Sequence, residues 1–128
     1  MNVCKSVGLQ KPKADIGPYT IKFLQFFGKN YKELIHNATN DFIDKKEYLN
    51  HLYNVRFLHT ENLNEELYNF LLEMGYRQKK VQFILQSPPE NTTKGKKKNW
   101  KNYYTPELKK EIRTKERLIF DLFPEYDV

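Results

Sequence analysis

The sequence predicts a helix-rich α/β fold carried by a single domain over residues 1–128. Three observations predict it. Apolar residues recur three and four apart in several short stretches, a run around Val55 and Phe57 alternates as a strand does, and Thr105-Pro106 opens a strongly signalled C-terminal helix. At 128 residues the chain is long enough to bury one core.

Residues 1–18 read as a loose, polar lead-in of scattered glycine, proline and lysine. From Tyr19, "YTIKFLQFFG" sets Ile21, Leu24 and either Phe23 or Phe27 at helical spacing and stops at Gly28. "NYKELIHN" and "DKKEYLNHLYN" continue in the same style and read as amphipathic helices or helical turns. The period then changes: Val55, Phe57 and His59 alternate with Arg56 and Leu58 in a short strand-like run. A helix follows on Leu67, Phe70, Leu71 and Met74, with Asn64 as N-cap, Glu65 and Glu66 in its first turn and Gly75 as its stop. "VQFIL" fits a second strand, although five residues do not separate strand from helix. Residues 86–104, with adjacent prolines and no apolar period, read as a loop. A helix over 105–123 closes the chain, with Leu108, Ile112, Ile119 and Leu122 or Phe123 as its buried stripe and Pro124 at its end.

Composition narrows the function classes. Twenty-two basic residues against 16 acidic ones give a net charge of +6, which favours anionic partners such as nucleotides, nucleic acid or acidic membrane surfaces. The single cysteine, Cys4, excludes an internal disulfide and a cysteine zinc site. No apolar run reaches the length of a membrane span and the first residues lack a signal-peptide pattern, so a cytoplasmic protein is expected. No metal is expected. His36, His51 and His59 stand in no recognisable motif and receive no role.

The chemistry concentrates in "TKGKKKNWKNYYT", where five lysines surround Gly95 and the only tryptophan, Trp100, with no acidic residue among them. Three readings stay open: a solvated basic loop, a nucleic-acid contact with Trp100, Tyr103 and Tyr104 as stacking faces, or a phosphate pocket for a small nucleotide. The pocket accounts as well for the glycine, which lets backbone approach an anion, and for the tryptophan, which braces the loop or shelters a ring.

At these residues the chain resembles the cytosolic-type sulfotransferases. "KGKKKNWKNYYT" is similar to their C-terminal Lys-Gly-x-x-x-x-Trp-Lys-Asn-x-(aromatic)-Thr element, with Thr93 where the family carries Arg and Lys98-Asn99 where it carries Gly-Asp. "VRFLHTENLNEELYNFLLEMGY" resembles the strand-Glu-Asp-Leu-helix segment that precedes that loop, with Glu61 at the family's carboxylate. "YYTPELKKEIRTKERLIFDLFPEY" resembles the closing tyrosine-rich helix. The resemblance implies the C-terminal portion of a P-loop-like sulfotransferase domain. It assigns Lys94, Gly95, Trp100 and Lys101 to binding the 3′-phosphate of the sulfuryl donor, 3′-phosphoadenosine 5′-phosphosulfate (PAPS), and it implies an acceptor hydroxyl or amine of unknown identity. The family's 5′-phosphosulfate loop and mid-domain histidine base have no counterpart here, and no GxxxxGK[ST] run exists in the sequence. Catalysis by this chain alone is therefore not expected. The alternative is a non-enzymatic, mostly helical basic module that binds nucleic acid or an acidic protein.

Overall fold

A computed structural model describes residues 11–89 and 99–127, with only the backbone at Trp100. The chain divides into two units, residues 1–55 with 99–128, and residues 56–98. The regular structure among the described residues is helical, with no strand ladder, so the strand component of the expected α/β fold is absent from them. Antiparallel pairing is limited there to one isolated bridge, Gly28 to Leu52.

In the first unit, α1 spans Pro18–Phe27. Gly17, its N-cap, has no side chain to offer, and Pro18 at the first helical position has no N–H to satisfy. The next donors turn to a residue nearly one hundred positions away: Glu116 accepts from Tyr19 N at 3.1 Å, Thr20 N at 2.7 Å and Thr20 Oγ1 at 2.6 Å. Ile21 N completes the turn on Gly17 O. The helix buries Thr20, Ile21, Phe23 and Leu24 and ends at Gly28, whose N–H donates to Leu24 O at 2.8 Å. Gly28 has an ordinary φ of −86°, so its smallness serves packing rather than backbone freedom. A β-carbon there would lie 2.6 Å from Leu34 Cδ2 and 2.5 Å from Leu24 O.

α2 spans Tyr31–Asn37 and buries Leu34 and Ile35; it is entered through Asn30 at φ 49°, a left-handed conformation that asparagine tolerates. α3 spans Asn40–Asp44, capped by Thr39 Oγ1, which accepts from Phe42 N at 3.2 Å. A 3₁₀ turn, Glu47–His51, follows and buries Tyr48. Segments expected to form helices or helical turns between Gly28 and Val55 therefore do so.

α6 and α7 replace the single helix expected over 105–123; α4 and α5 lie in the second unit. α6 spans Pro106–Lys115 and is capped by Thr105 Oγ1, which accepts from Leu108 N at 3.2 Å, as the sequence predicts. α7 spans Arg117–Leu122. Between them Glu116 leaves helical geometry at φ −106° and ψ 26° and turns inward to cap α1. Carbonyls at this break find other donors: Gly17 N reaches Lys115 O at 2.9 Å, and Arg117 Nη1 reaches Thr114 O at 3.1 Å. Leu118, not Leu108, becomes the fully buried side chain of this segment, with Leu108 40% exposed. Phe23 meets Phe123 edge-on at a ring-centroid separation of 6.4 Å.

Residues 11–17, part of the lead-in, contribute buried Ala14 and Ile16. Arg117 ties this segment down. Its guanidinium donates to Asp15 O at 2.9 Å, Asn40 Oδ1 at 3.1 Å and Asp44 Oδ1 at 2.6 Å, while Asn40 Oδ1 also accepts from Asp15 N at 2.8 Å. The Lys115 ammonium hydrogen-bonds Asp15 and holds its carboxyl below the usual aspartate range.

Leu24, Ile35, Ile43, Tyr48 and Leu118 are fully buried in this unit. Tyr48 is the anomaly, because its hydroxyl has no hydrogen-bond partner among the described residues. Burial, and secondarily the charge of Asp121, push its phenol up to about 12. A buried, unsatisfied hydroxyl is destabilising by about 1 kcal/mol or more. Tyr48→Phe, which keeps the ring and removes the hydroxyl, should therefore be neutral or raise the melting temperature by a few degrees in a thermal scan.

Residues 55–59, expected as a strand, form no regular secondary structure and pair into no ladder; from residue 56 onward they belong to the second unit. They lead through a 3₁₀ turn, Thr60–Asn62, into α4, Leu63–Glu73. Asn64, expected as the cap, lies inside the helix and donates its side-chain amide to Ser87 O at 3.0 Å; Asn62 holds the cap position without a side-chain bond. Glu66 reaches back to accept from His59 N at 2.7 Å and lies 3.0 Å from His59 Nδ1. The helix closes as expected at Gly75, φ 92°, where Gly75 N donates to Leu72 O and Tyr76 N to Leu71 O, both at 3.0 Å, the Schellman pattern. "VQFIL" is helical, not a strand: α5, Gln78–Val81, continues into a 3₁₀ turn, Gln82–Gln86, and that turn packs on α4. Val81 and Ile84 are buried, whereas Leu63, Met74, Phe83 and Leu85 are exposed and α4 has no fully buried residue.

Candidate functional site

The C-terminal end of the lysine loop is built by local capping. On its C-terminal side Asn99 Oδ1 accepts from Lys101 N at 3.1 Å and starts a 3₁₀ turn, Trp100–Tyr103, which Tyr104 N closes on Lys101 O at 3.3 Å. Thr105 then starts α6. Two side-chain caps six positions apart thus fix the backbone that leaves the loop. Lys101 and Tyr103 are exposed on this turn, Tyr103 at 65%. Of the residues that the resemblance assigns to phosphate binding, Lys101 is placed here with the backbone of Trp100. Lys94 and Gly95 lie outside the described residues, as does the side chain of Trp100.

Glu61 sits in the 3₁₀ turn before α4 and is exposed. Near it in sequence, Arg56 donates to Glu73 Oε2 at 3.0 Å and stands 5.5 Å from the centroid of the Phe70 ring, which fixes this segment against α4. The three histidines do not converge on a site. His59 pairs with Glu66, His51 stacks obliquely on Phe42 at 5.6 Å, and His36 Nδ1 is buried without a partner among the described residues. No group of three or more potential metal ligands occurs among the described residues. None of the described helices is long and apolar enough to cross a membrane.

A groove of about 510 Å³ in the first unit carries no signal that the sequence reading used. It is lined by the apolar Leu34, Ala38 and Phe42, the first two of them buried, and by the exposed polar residues Lys29, Asn30, Glu33, Asn37 and His51. The residues come from four short elements between positions 29 and 51, so only folding brings them together.

No protein-family profile matches this chain, and no curated protein or solved structure matches it with significance.

Proposed function

We propose that the chain carries the donor-nucleotide part of a PAPS-dependent sulfotransferase. In this reading Lys94 and Gly95 receive the 3′-phosphate, with Trp100 and Lys101 closing the loop around it. The observation that carries the reading is the order of locally built elements. A segment of strand-like alternation leads through the Glu61 turn into α4, α4 stops at Gly75, and after the basic loop the Asn99 and Thr105 caps launch α6. That order follows the three stretches of sequence resemblance.

Two further features support it. Residues 55–59 carry strand-like alternation without a ladder, as a strand of a P-loop-like domain would when its partner strands lie on other segments. The exposed Leu63, Phe83 and Leu85 form apolar surface of the kind that such segments would cover. The lysines would neutralise phosphate charge and the glycine would admit it to backbone N–H groups, so this chain's contribution is binding and orientation. In this reading the sulfuryl transfer, and the base that takes the acceptor's proton, are assigned to no residue of this chain. A cytoplasmic setting accompanies the proposal.

The wholly helical regular structure of the described residues favours a second reading, a non-enzymatic basic module for nucleic acid or an acidic protein. Salt separates the two. A patch making about six phosphate contacts loses on the order of a thousandfold in affinity between about 50 and 200 mM salt, whereas a pocket for one small dianion responds far less. Calorimetry across that range should show adenosine 3′,5′-bisphosphate binding falling by less than about tenfold and oligonucleotide binding collapsing. Oligonucleotide binding that persists at the higher salt, with no bisphosphate binding, would favour the second reading.

A further inference from the structure

We propose that the groove between α2, α3 and the 3₁₀ turn Glu47–His51 binds a small aromatic carboxylate that also carries a ring N–H or hydroxyl donor. The proposal is independent of the sulfotransferase reading, which rests on other residues.

The groove's volume, about 510 Å³, lies within the roughly 300–1,000 Å³ typical of small-ligand sites. Its apolar lining is firmly set, since Leu34 and Ala38 are buried and Leu34 Cδ2 packs against the backbone of Gly28. The Phe42 and His51 rings, both in the lining, stand 5.6 Å apart at 46°, a tilted pair of the kind that a third ring can join.

The polar lining is asymmetric. Lys29 and His51 are locked side by side by backbone: Lys29 N donates to His51 O at 2.7 Å, beside the Gly28–Leu52 bridge. This pair presents an ammonium and an imidazole. Within the same lining α2 supplies one carboxylate, Glu33, and the Asn37 amide. Among the described residues, neither the Lys29 nor the Glu33 side chain has a hydrogen-bond or ion-pair partner, so both hold unused capacity beside apolar surface. An aromatic ring covers that surface, its carboxylate meets Lys29, and a ring N–H or hydroxyl meets Glu33.

The test uses the full chain labelled with ¹⁵N and three probes of one shape: indole-3-acetate, the neutral indole-3-acetamide, and tryptamine. Indole-3-acetate should shift the amide signals of Asn30, Leu34, Phe42 and His51 saturably and bind about tenfold or more tightly than the acetamide, with tryptamine weaker still. Lys29→Ala, an exposed change, should leave the melting temperature unaltered and bring acetate and acetamide to equal affinity. Equal affinities in the wild type, retained preference for the acetate in Lys29→Ala, shifts confined to other residues, or no saturable binding would each overturn the proposal.

Discussion

Glu116→Ala should lower the unfolding free energy by about 3 kcal/mol or more, the largest single effect expected in this chain. The carboxylate is 5% exposed and accepts three hydrogen bonds from the start of α1, so its removal leaves two backbone N–H groups and the Thr20 hydroxyl without their acceptor. Hydrogen bonds to a charged acceptor contribute about 1.5 to 3 kcal/mol each, and the desolvation of the carboxylate offsets part of that sum. Glu116→Gln should fall between, because the amide keeps one acceptor oxygen but places a donor against a donor. Gly17→Ala probes the same contact from the other side, since its β-carbon would stand 1.9 Å from Glu116 Oε1 and displace the carboxylate. Urea denaturation, with an unchanged m-value, gives the measurement. A loss below about 1 kcal/mol for Glu116→Ala would show that the cap is dispensable.

Features written into a few adjacent residues were legible in the sequence. Thr105-Pro106 starts α6 and Gly75 ends α4, each within one helical turn and as its residue type requires. Gly28 stops α1 for a different reason from the one its type advertises, since it gives Leu34 room rather than adopting a left-handed conformation. A strand is not a local property: residues 55–59 have the alternation, but strand structure needs a neighbour to pair with, and the described residues supply none. "VQFIL" was too short for its period to decide, and packing on α4 resolved it as helical turns.

Glu116 falls on the apolar stripe between Ile112 and Ile119, four residues after one and three before the other. A charge at a core-facing position was the available signal for the bend, although its partners at Tyr19 and Thr20 could be found only by folding. For the candidate nucleotide site the balance is reversed. Its residue types and spacing are legible as sequence, and the structure places its exit turn, with Lys101, but not Lys94 or Gly95.

Lys94→Ala should weaken binding of adenosine 3′,5′-bisphosphate by about tenfold or more while hardly changing binding of adenosine 5′-monophosphate. The two nucleotides differ at the 3′-phosphate, and a charge-assisted contact to it contributes about 1.5 to 3 kcal/mol. Lys96→Ala and Lys97→Ala stand outside the matched positions and should affect a single-stranded oligonucleotide more than the bisphosphate. Equal losses of both nucleotides on Lys94→Ala would reduce this lysine to a general attractant of anions.

The central claim, that this chain holds a 3′-phosphate, is tested most directly by calorimetry of the wild-type protein with adenosine 3′,5′-bisphosphate beside adenosine 5′-monophosphate. The account predicts saturable, one-to-one binding of the bisphosphate, at least about tenfold tighter than the monophosphate and retained at about 200 mM salt. Indistinguishable affinities, or no heat with either nucleotide from a chain that circular dichroism shows to be folded, would contradict it.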